Sequence, residues 1–209
     1  MTTYNPWLNI PSEDYEKHMS DKTVDQLKAL NEITFHQLNK YQPESFSLIG
    51  CCTGNGLEHI HSSITKRVYG VDINPEYLKI TKIRFQKNIP SLKLIALDIE
   101  KEKLPFCDVE LTLIALVFEY VNLKKAVQNI ISSIKSKGKV VTVIQRNNHQ
   151  TFVSSTKFNS LKTLLEISHK VDKHALIKEF SVNNFKILEE LVIPLPSGKE
   201  FIVITFHKD

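Results

Sequence analysis

From residue 46 onward, short runs of apolar, largely β-branched residues alternate with stretches whose apolar side chains recur every three or four positions. The first pattern suits strands buried on both faces, and the second suits helices with one buried stripe. Their alternation is the sign of βα units laid on a mostly parallel sheet. Strands are expected over 46–50, 67–71, 92–97, 111–117, 139–145, 185–193 and 201–207, and helices over 56–63, 75–88, 123–135, 158–168 and 172–180. Pro75 fits a first helical turn, where its missing N–H costs nothing, with Asn74 as the cap. Gly138, after a lysine-rich stretch, fits a helix stop. Only residues 194–199 separate the last two strands, too few for a crossover, so these must pair as an antiparallel hairpin. Upstream, Val24, Leu27, Leu30, Ile33 and Leu38 predict a helix over 21–40, while residues 1–20 show no clear period. The expected fold is α/β and doubly wound: a mostly parallel seven-stranded sheet with an antiparallel C-terminal hairpin strand and helices on both faces. Without repeats or a linker, 1–209 reads as one domain. Residues 1–40 form a helical lid or packing segment, 46–145 the core, and 146–209 an insertion, helices and the hairpin.

The chemistry concentrates at strand ends. Ser47-Leu48-Ile49-Gly50-Cys51-Cys52-Thr53-Gly54-Asn55-Gly56 sets a glycine-rich turn between a buried strand and a helix, where the backbone must turn sharply and approach a ligand with no Cβ in the way. The second strand runs Val68-Tyr69-Gly70-Val71-Asp72, which brings a carboxylate to the tip beside that loop, suited to the two hydroxyls of a ribose. The third runs Ile95-Ala96-Leu97-Asp98 and adds a second carboxylate, able to accept from an adenine amino group. Taken singly, the glycines fit a helix-entry turn, Asp72 a cap for the Pro75 helix and Asp98 a loop acid. Together, at three successive strand ends, they describe an adenosine site.

A strand followed by G-x-(G/C)-x-G, a second ending in Asp and a third ending in Asp resemble the class I S-adenosylmethionine-dependent methyltransferases over about residues 46–145. The resemblance implies S-adenosylmethionine as cofactor. It places Gly50, Cys51, Thr53 and Gly54 at its methionine end, Asp72 on the ribose, Asp98 on the adenine, Ile73 and Ile99 beside the ring, and Ala115 near the transferable methyl. Two positions depart from the family pattern: Leu48 stands where an acidic residue is usual, and Cys52 where the middle glycine is.

The fourth strand ends Ala115-Leu116-Val117-Phe118-Glu119-Tyr120 and lacks the (Asn/Asp)-Pro-Pro-(Tyr/Phe) of enzymes that methylate planar amino groups, which leans toward a small-molecule acceptor. Methyl transfer from a sulfonium is an in-line displacement in which the protein mainly aligns the reactants, so few catalytic groups are obligatory. Glu119 is one candidate, or else a helix cap. Tyr4, Trp7, Asp14, Tyr15, His18 and Met19 suit either a lid or simple packing, and His18 is the candidate base if they form a lid. The polar stretch 146–157, with His149, Thr151, Ser154, Ser155 and Thr156, faces the acceptor or is an exposed connector.

Composition adds exclusions. The 209 residues are 42% hydrophobic and 24% charged, as in an ordinary globular protein. The longest apolar run, 111–121, falls short of the roughly 20 residues of a membrane span. Without a secretory pattern at the N-terminus, a cytoplasmic setting is expected. Three cysteines, two adjacent, make neither a disulfide framework nor a zinc site, and the histidines lack ligand spacing, so no metal is expected. The net charge of +4 is spread along the chain, which argues against a nucleic-acid partner. The G-x-G-x-x-G spacing of a dinucleotide oxidoreductase is absent. The remaining rival is a binding module that holds the cofactor without turnover.

Overall fold

A computed structural model describes residues 5–148 and 150–209, so Tyr4 and His149 lie outside the described residues. The strands are β1 (Ser45–Ile49), β2 (Arg67–Asp72), β3 (Leu92–Ala96), β4 (Val109–Ala115), β5 (Ile134–Arg146), β6 (Phe185–Pro194) and β7 (Glu200–Lys208). They form one seven-stranded sheet in the order β3-β2-β1-β4-β5-β7-β6. The first five pair in parallel, and β7 is antiparallel to both β5 and β6. This is the expected doubly wound sheet with its hairpin edge. Strand order reverses between β1 and β4, and ligands of such sheets bind in the crevice that this reversal opens at the carboxyl ends.

Among the described residues, five α-helices surround the sheet: α1 (Ser12–Met19), α2 (Gln26–Tyr41), α3 (Pro75–Phe85), α4 (Leu123–Ile131) and α5 (Lys173–Ser181). On one face, Ala126, Val127 and Ile130 of α4 and Leu176 and Phe180 of α5 pack on Ile49, Val71, Ile114 and Ile144. On the other, Ile33 and Leu38 of α2 and Leu78 of α3 pack on Phe46, Leu48, Leu113 and Val141. A third cluster roofs the carboxyl ends of the strands, joining Ile10, Tyr15 and Met19 to Tyr77, Leu161 and Leu164.

The cap at Asn74 forms as expected, its side chain accepting from the N–H groups of Glu76 and Tyr77, with Pro75 in the first turn. Several expectations need correction. The stretch 56–63 is no helix: Gly56 sits at φ +93°, and only the single 3-10 turn Leu57–His59 follows. Two β-branched residues and two serines between 60 and 64 have little helical preference to extend it. Residues 158–168 form a 3-10 segment, Asn159–Glu166, and no α-helix. Gly138 lies inside β5, with Lys137 before it at φ +62°, where the register to β4 shifts by a bulge. A Cβ on Gly138 would meet the Val109 carbonyl oxygen at 2.9 Å, so this glycine serves close strand approach and stops no helix. The apparently aperiodic N-terminus contains α1, whose Tyr15, His18 and Met19 are buried in the roof.

Candidate active site

Gly50 at φ +70° turns the chain out of β1, and its N–H and that of Cys51 both donate to the Val71 carbonyl. A Cβ on Gly50 would stand 2.4 Å from Val117 Cγ2, so the close approach of the loops after β1 and β4 requires glycine there. Cys52, standing where the resemblance calls for glycine, keeps the glycine-like left-handed backbone at φ +46°. For an L-residue that conformation costs about 1–2 kcal/mol. Leu116, at the tip of β4, is likewise left-handed at φ +55°. Strained residues on facing loops mark a site held in shape by its surroundings.

Asp72 anchors this loop. Its Oδ2 accepts from Cys52 N and its Oδ1 from Asn74 N, each at 2.8 Å. Each oxygen keeps a second lone pair, the number a ribose diol needs. Burial pushes the Asp72 carboxyl up to about 6, against the pull of those N–H groups. Asp98 accepts from Glu100 N at 3.0 Å and pairs with Lys101 at 2.7 Å.

These strand ends floor a cavity of about 150 Å³. Gly50, Cys51, Asp72, Ile73, Asp98, Ile99, Ala115 and His18 of the sequence-derived candidates line it. Thr53, Gly54 and Glu119 do not. Thr53 donates from Oγ1 to Glu16 Oε1 at 2.6 Å, and a Cβ on Gly54 would strike the Phe85 ring at 2.6 Å, so both residues shape the loop and the helices packed on it. Glu119 is wholly buried; Oε1 accepts from Gln145 N at 2.8 Å and Oε2 has no partner among the described residues. Burial pushes this carboxyl up to about 7. The donors fit an adenosine cofactor: a buried carboxylate with free lone pairs beside a glycine-turned loop, isoleucines for a ring and a second carboxylate beyond.

The roof is held by contacts that the sequence hides. Glu16 of α1 is gripped by both terminal nitrogens of Arg84, 68 positions along on α3, as well as by Thr53. The Arg84 guanidinium holds the Glu16 carboxyl below its usual range. Tyr77 donates to the Ile10 carbonyl at 3.0 Å and Asn74 to the Trp7 carbonyl at 2.9 Å. Trp7 and Tyr120 meet edge to face with centroids 5.1 Å apart, and Tyr120 meets Phe152 at 5.7 Å. The cavity thus passes from a polar floor into an aromatic chamber under the N-terminal segment.

Beyond that chamber lie polar residues of which the sequence reading singled out His18, Ser154 and Thr156 but not Gln26, Gln145 or Lys199. Gln26 donates to Gln145 Oε1 at 2.5 Å, and the Gln145 amide donates to Asn147 Oδ1 and the Phe152 carbonyl. Lys199 is 1% exposed and donates to the Phe152 carbonyl at 2.7 Å and Ser154 Oγ at 2.9 Å. His18 Nδ1 is 2.8 Å from Thr156 Oγ1. No local motif announces a buried lysine in a hairpin, so nothing in the sequence flagged Lys199.

Comparison with known proteins agrees with this geometry. Residues 48–142 match the family model described as a methyltransferase domain. No curated protein matches the chain in sequence. Among solved structures, N-methyltransferase NodS from Bradyrhizobium japonicum WM9, in complex with S-adenosyl-l-homocysteine, is similar at 14% identity and TM-score 0.68, over 94% of this chain and 97% of that one. Magnesium protoporphyrin IX methyltransferase (ChlM) from Synechocystis PCC 6803 with bound SAH is similar at 10% identity and TM-score 0.72, covering 97% and 96%. The [4+2]-cyclase SpnF is similar at 10% identity and TM-score 0.67, covering 87% and 82%. The match of residues 48–142, just under half of the chain, to that model, joined to the order of the sheet, gives this chain the fold of the class I S-adenosylmethionine-dependent methyltransferases.

Proposed function

We propose that this chain is a single-domain enzyme that transfers a methyl group to a small-molecule acceptor. The observation that carries the reading is one continuous cavity, whose floor is the Gly50–Cys52 loop with Asp72 and Asp98 and whose far part is an aromatic chamber roofed by Trp7, Tyr15 and Met19. Bound S-adenosylmethionine would supply a methyl group activated by its sulfonium. Asp72 takes the ribose hydroxyls, Asp98 lies on the adenine side with Ile73 and Ile99 beside the ring, and Gly50, Cys51 and Ala115 border the methionine and methyl end. The roof excludes water and fixes the acceptor's approach, which is most of what an in-line displacement asks of a protein. His18 can take a proton where the acceptor must lose one, because burial, then nearby Lys199, lowers its pKa and keeps the imidazole neutral at pH 7. Glu119 serves as a support that fixes Gln145, and Thr53 and Gly54 act through the shape of the loop. A cytoplasmic setting belongs to the same reading and suits three free thiols.

Binding without methyl transfer is the second reading, favoured by Leu48 at the usual acidic position and by Cys52, and by the similarity to a structure named as a cyclase. Calorimetric titration with S-adenosylmethionine, S-adenosylhomocysteine and NAD tests the cofactor. The sulfur ligands should bind, NAD should not, and Asp72→Ala should lose binding; no binding of the sulfur ligands to the wild-type chain refutes the reading. Formation of S-adenosylhomocysteine across a panel of small acceptors then separates turnover from binding alone.

A further inference from the structure

We propose that Lys199 is the acceptor's docking point, and that the acceptor is a mainly apolar molecule carrying a carboxylate. The inference rests on the cavity reading above and extends it to substrate class. Lys199 leads into β7 from the hairpin, and its side chain reaches back to line the far end of the cavity. It is buried to 1% exposure, yet no carboxylate pairs with it among the described residues. Its partners are one carbonyl and one hydroxyl, both neutral, which leaves one of the three ammonium protons unused.

Burying an ammonium without a counter-charge is costly, and proteins ordinarily avoid it by pairing or exposing the group. Here burial alone lowers the Lys199 pKa to about 8, with no acid acting in the other direction. The charge survives at neutral pH and awaits an anion. His18, whose titration feels Lys199, has Nδ1 engaged by Thr156, and Nε2 has no partner among the described residues. Gln26, also buried, lines the same wall. One positive charge flanked by a neutral imidazole and an amide matches a monoanion; a phosphate monoester would bring more charge than this end can neutralise. The walls between this point and the cofactor floor are Trp7, Tyr15, Tyr120, Phe152 and Leu161, which sets the rest of the molecule as apolar.

The test uses indole-3-acetate and octanoate, each against its primary amide, with phenyl phosphate as the dianionic probe. Each is titrated into the full chain with and without saturating S-adenosylhomocysteine. The acids should bind at least ~10-fold more tightly than their amides, the factor expected of one charge-assisted hydrogen bond, and phenyl phosphate should not exceed them. Lys199→Met and, as a second variant, Lys199→Gln should abolish the acid preference while binding S-adenosylhomocysteine as the wild type does, which also shows that they fold. Equal binding of acid and amide, no binding of either, tighter binding of phenyl phosphate, or a preference that survives both substitutions overturns the proposal. Wild-type failure to bind S-adenosylhomocysteine overturns the cofactor reading instead, and the acid-to-amide ratio is still read from the titrations without it.

Discussion

Glu119→Gln should stabilise the protein relative to wild type progressively as pH rises. The wild-type carboxyl is fully buried, with one oxygen on Gln145 N and the other unpartnered, and burial raises its pKa from 4.5 to about 7. Unfolding frees it to ionise at its ordinary value. A carboxyl raised in the folded state favours folding fully below pH 4.5 and loses that contribution as pH climbs through 7. Between pH 5 and pH 8 the two pKa values give a loss of about 2–3 kcal/mol. Glutamine keeps an acceptor for Gln145 N but does not titrate, so the loss disappears from the variant. Its unpaired amide adds a destabilisation independent of pH, which shifts the whole curve without changing its slope. Urea unfolding of both proteins at pH 5, 6, 7 and 8, followed by far-UV circular dichroism, reads the difference directly. A stability difference that is flat across this range, or that moves against the variant, would refute the account of Glu119 as a buried, half-satisfied acid.

Three other outcomes follow from contacts around the cavity. Gly54→Ala should destabilise by about 3 kcal/mol in denaturant unfolding, because the new methyl strikes the Phe85 ring at 2.6 Å and φ is +91°; a loss below 1 kcal/mol would mean that α3 yields easily. Tyr77→Phe removes the hydroxyl that holds the Ile10 carbonyl and should cost about 1 kcal/mol, with faster amide exchange at α1 but unchanged exchange in β1. Glu16→Gln breaks the grip of Arg84 and Thr53 on the roof, so S-adenosylhomocysteine should dissociate faster in stopped-flow displacement while its association rate changes little; an unchanged dissociation rate would detach α1 from cofactor retention.

The first strands were legible because each is a short, β-rich run that ends at a residue with a distinct task, as β2 ends in Asp72 and β1 runs into Gly50. Period and chemistry pointed to the same boundary there. The loop was legible because glycine is required by close approach, and Gly50 against Val117 bears this out. Length was less so: β5 begins five residues before the expected 139, because Ile134 pairs with Val109 across a bulge that no periodicity records. The helix expected at 56–63 failed because Gly56 turns at φ +93° and residues 60–64 have little helical preference to extend the single turn that follows. The roof was hidden for a different reason. Glu16 and Arg84, or Gln26 and Gln145, are each ordinary in their own segment and acquire meaning only when the fold brings them together. Lys199 is the extreme case, since a lysine before a hairpin strand reads as solvent-exposed, and only the closed cavity shows otherwise.

The two ends of the cavity are drawn from different stretches of the chain. The floor belongs to residues 48–99 and the tip of β4, whereas the chamber walls come mainly from residues 5–34 and 145–199, with Tyr120 between them. The family-model match over 48–142 therefore covers the cofactor half and reaches the chamber walls at Tyr120. Such a division leaves the acceptor half open to change without disturbing the cofactor half. The two wall stretches are thus the natural units to exchange between homologues when a new acceptor is wanted, and they must travel as a pair, because Gln26 and Gln145, and His18 and Thr156, join one to the other.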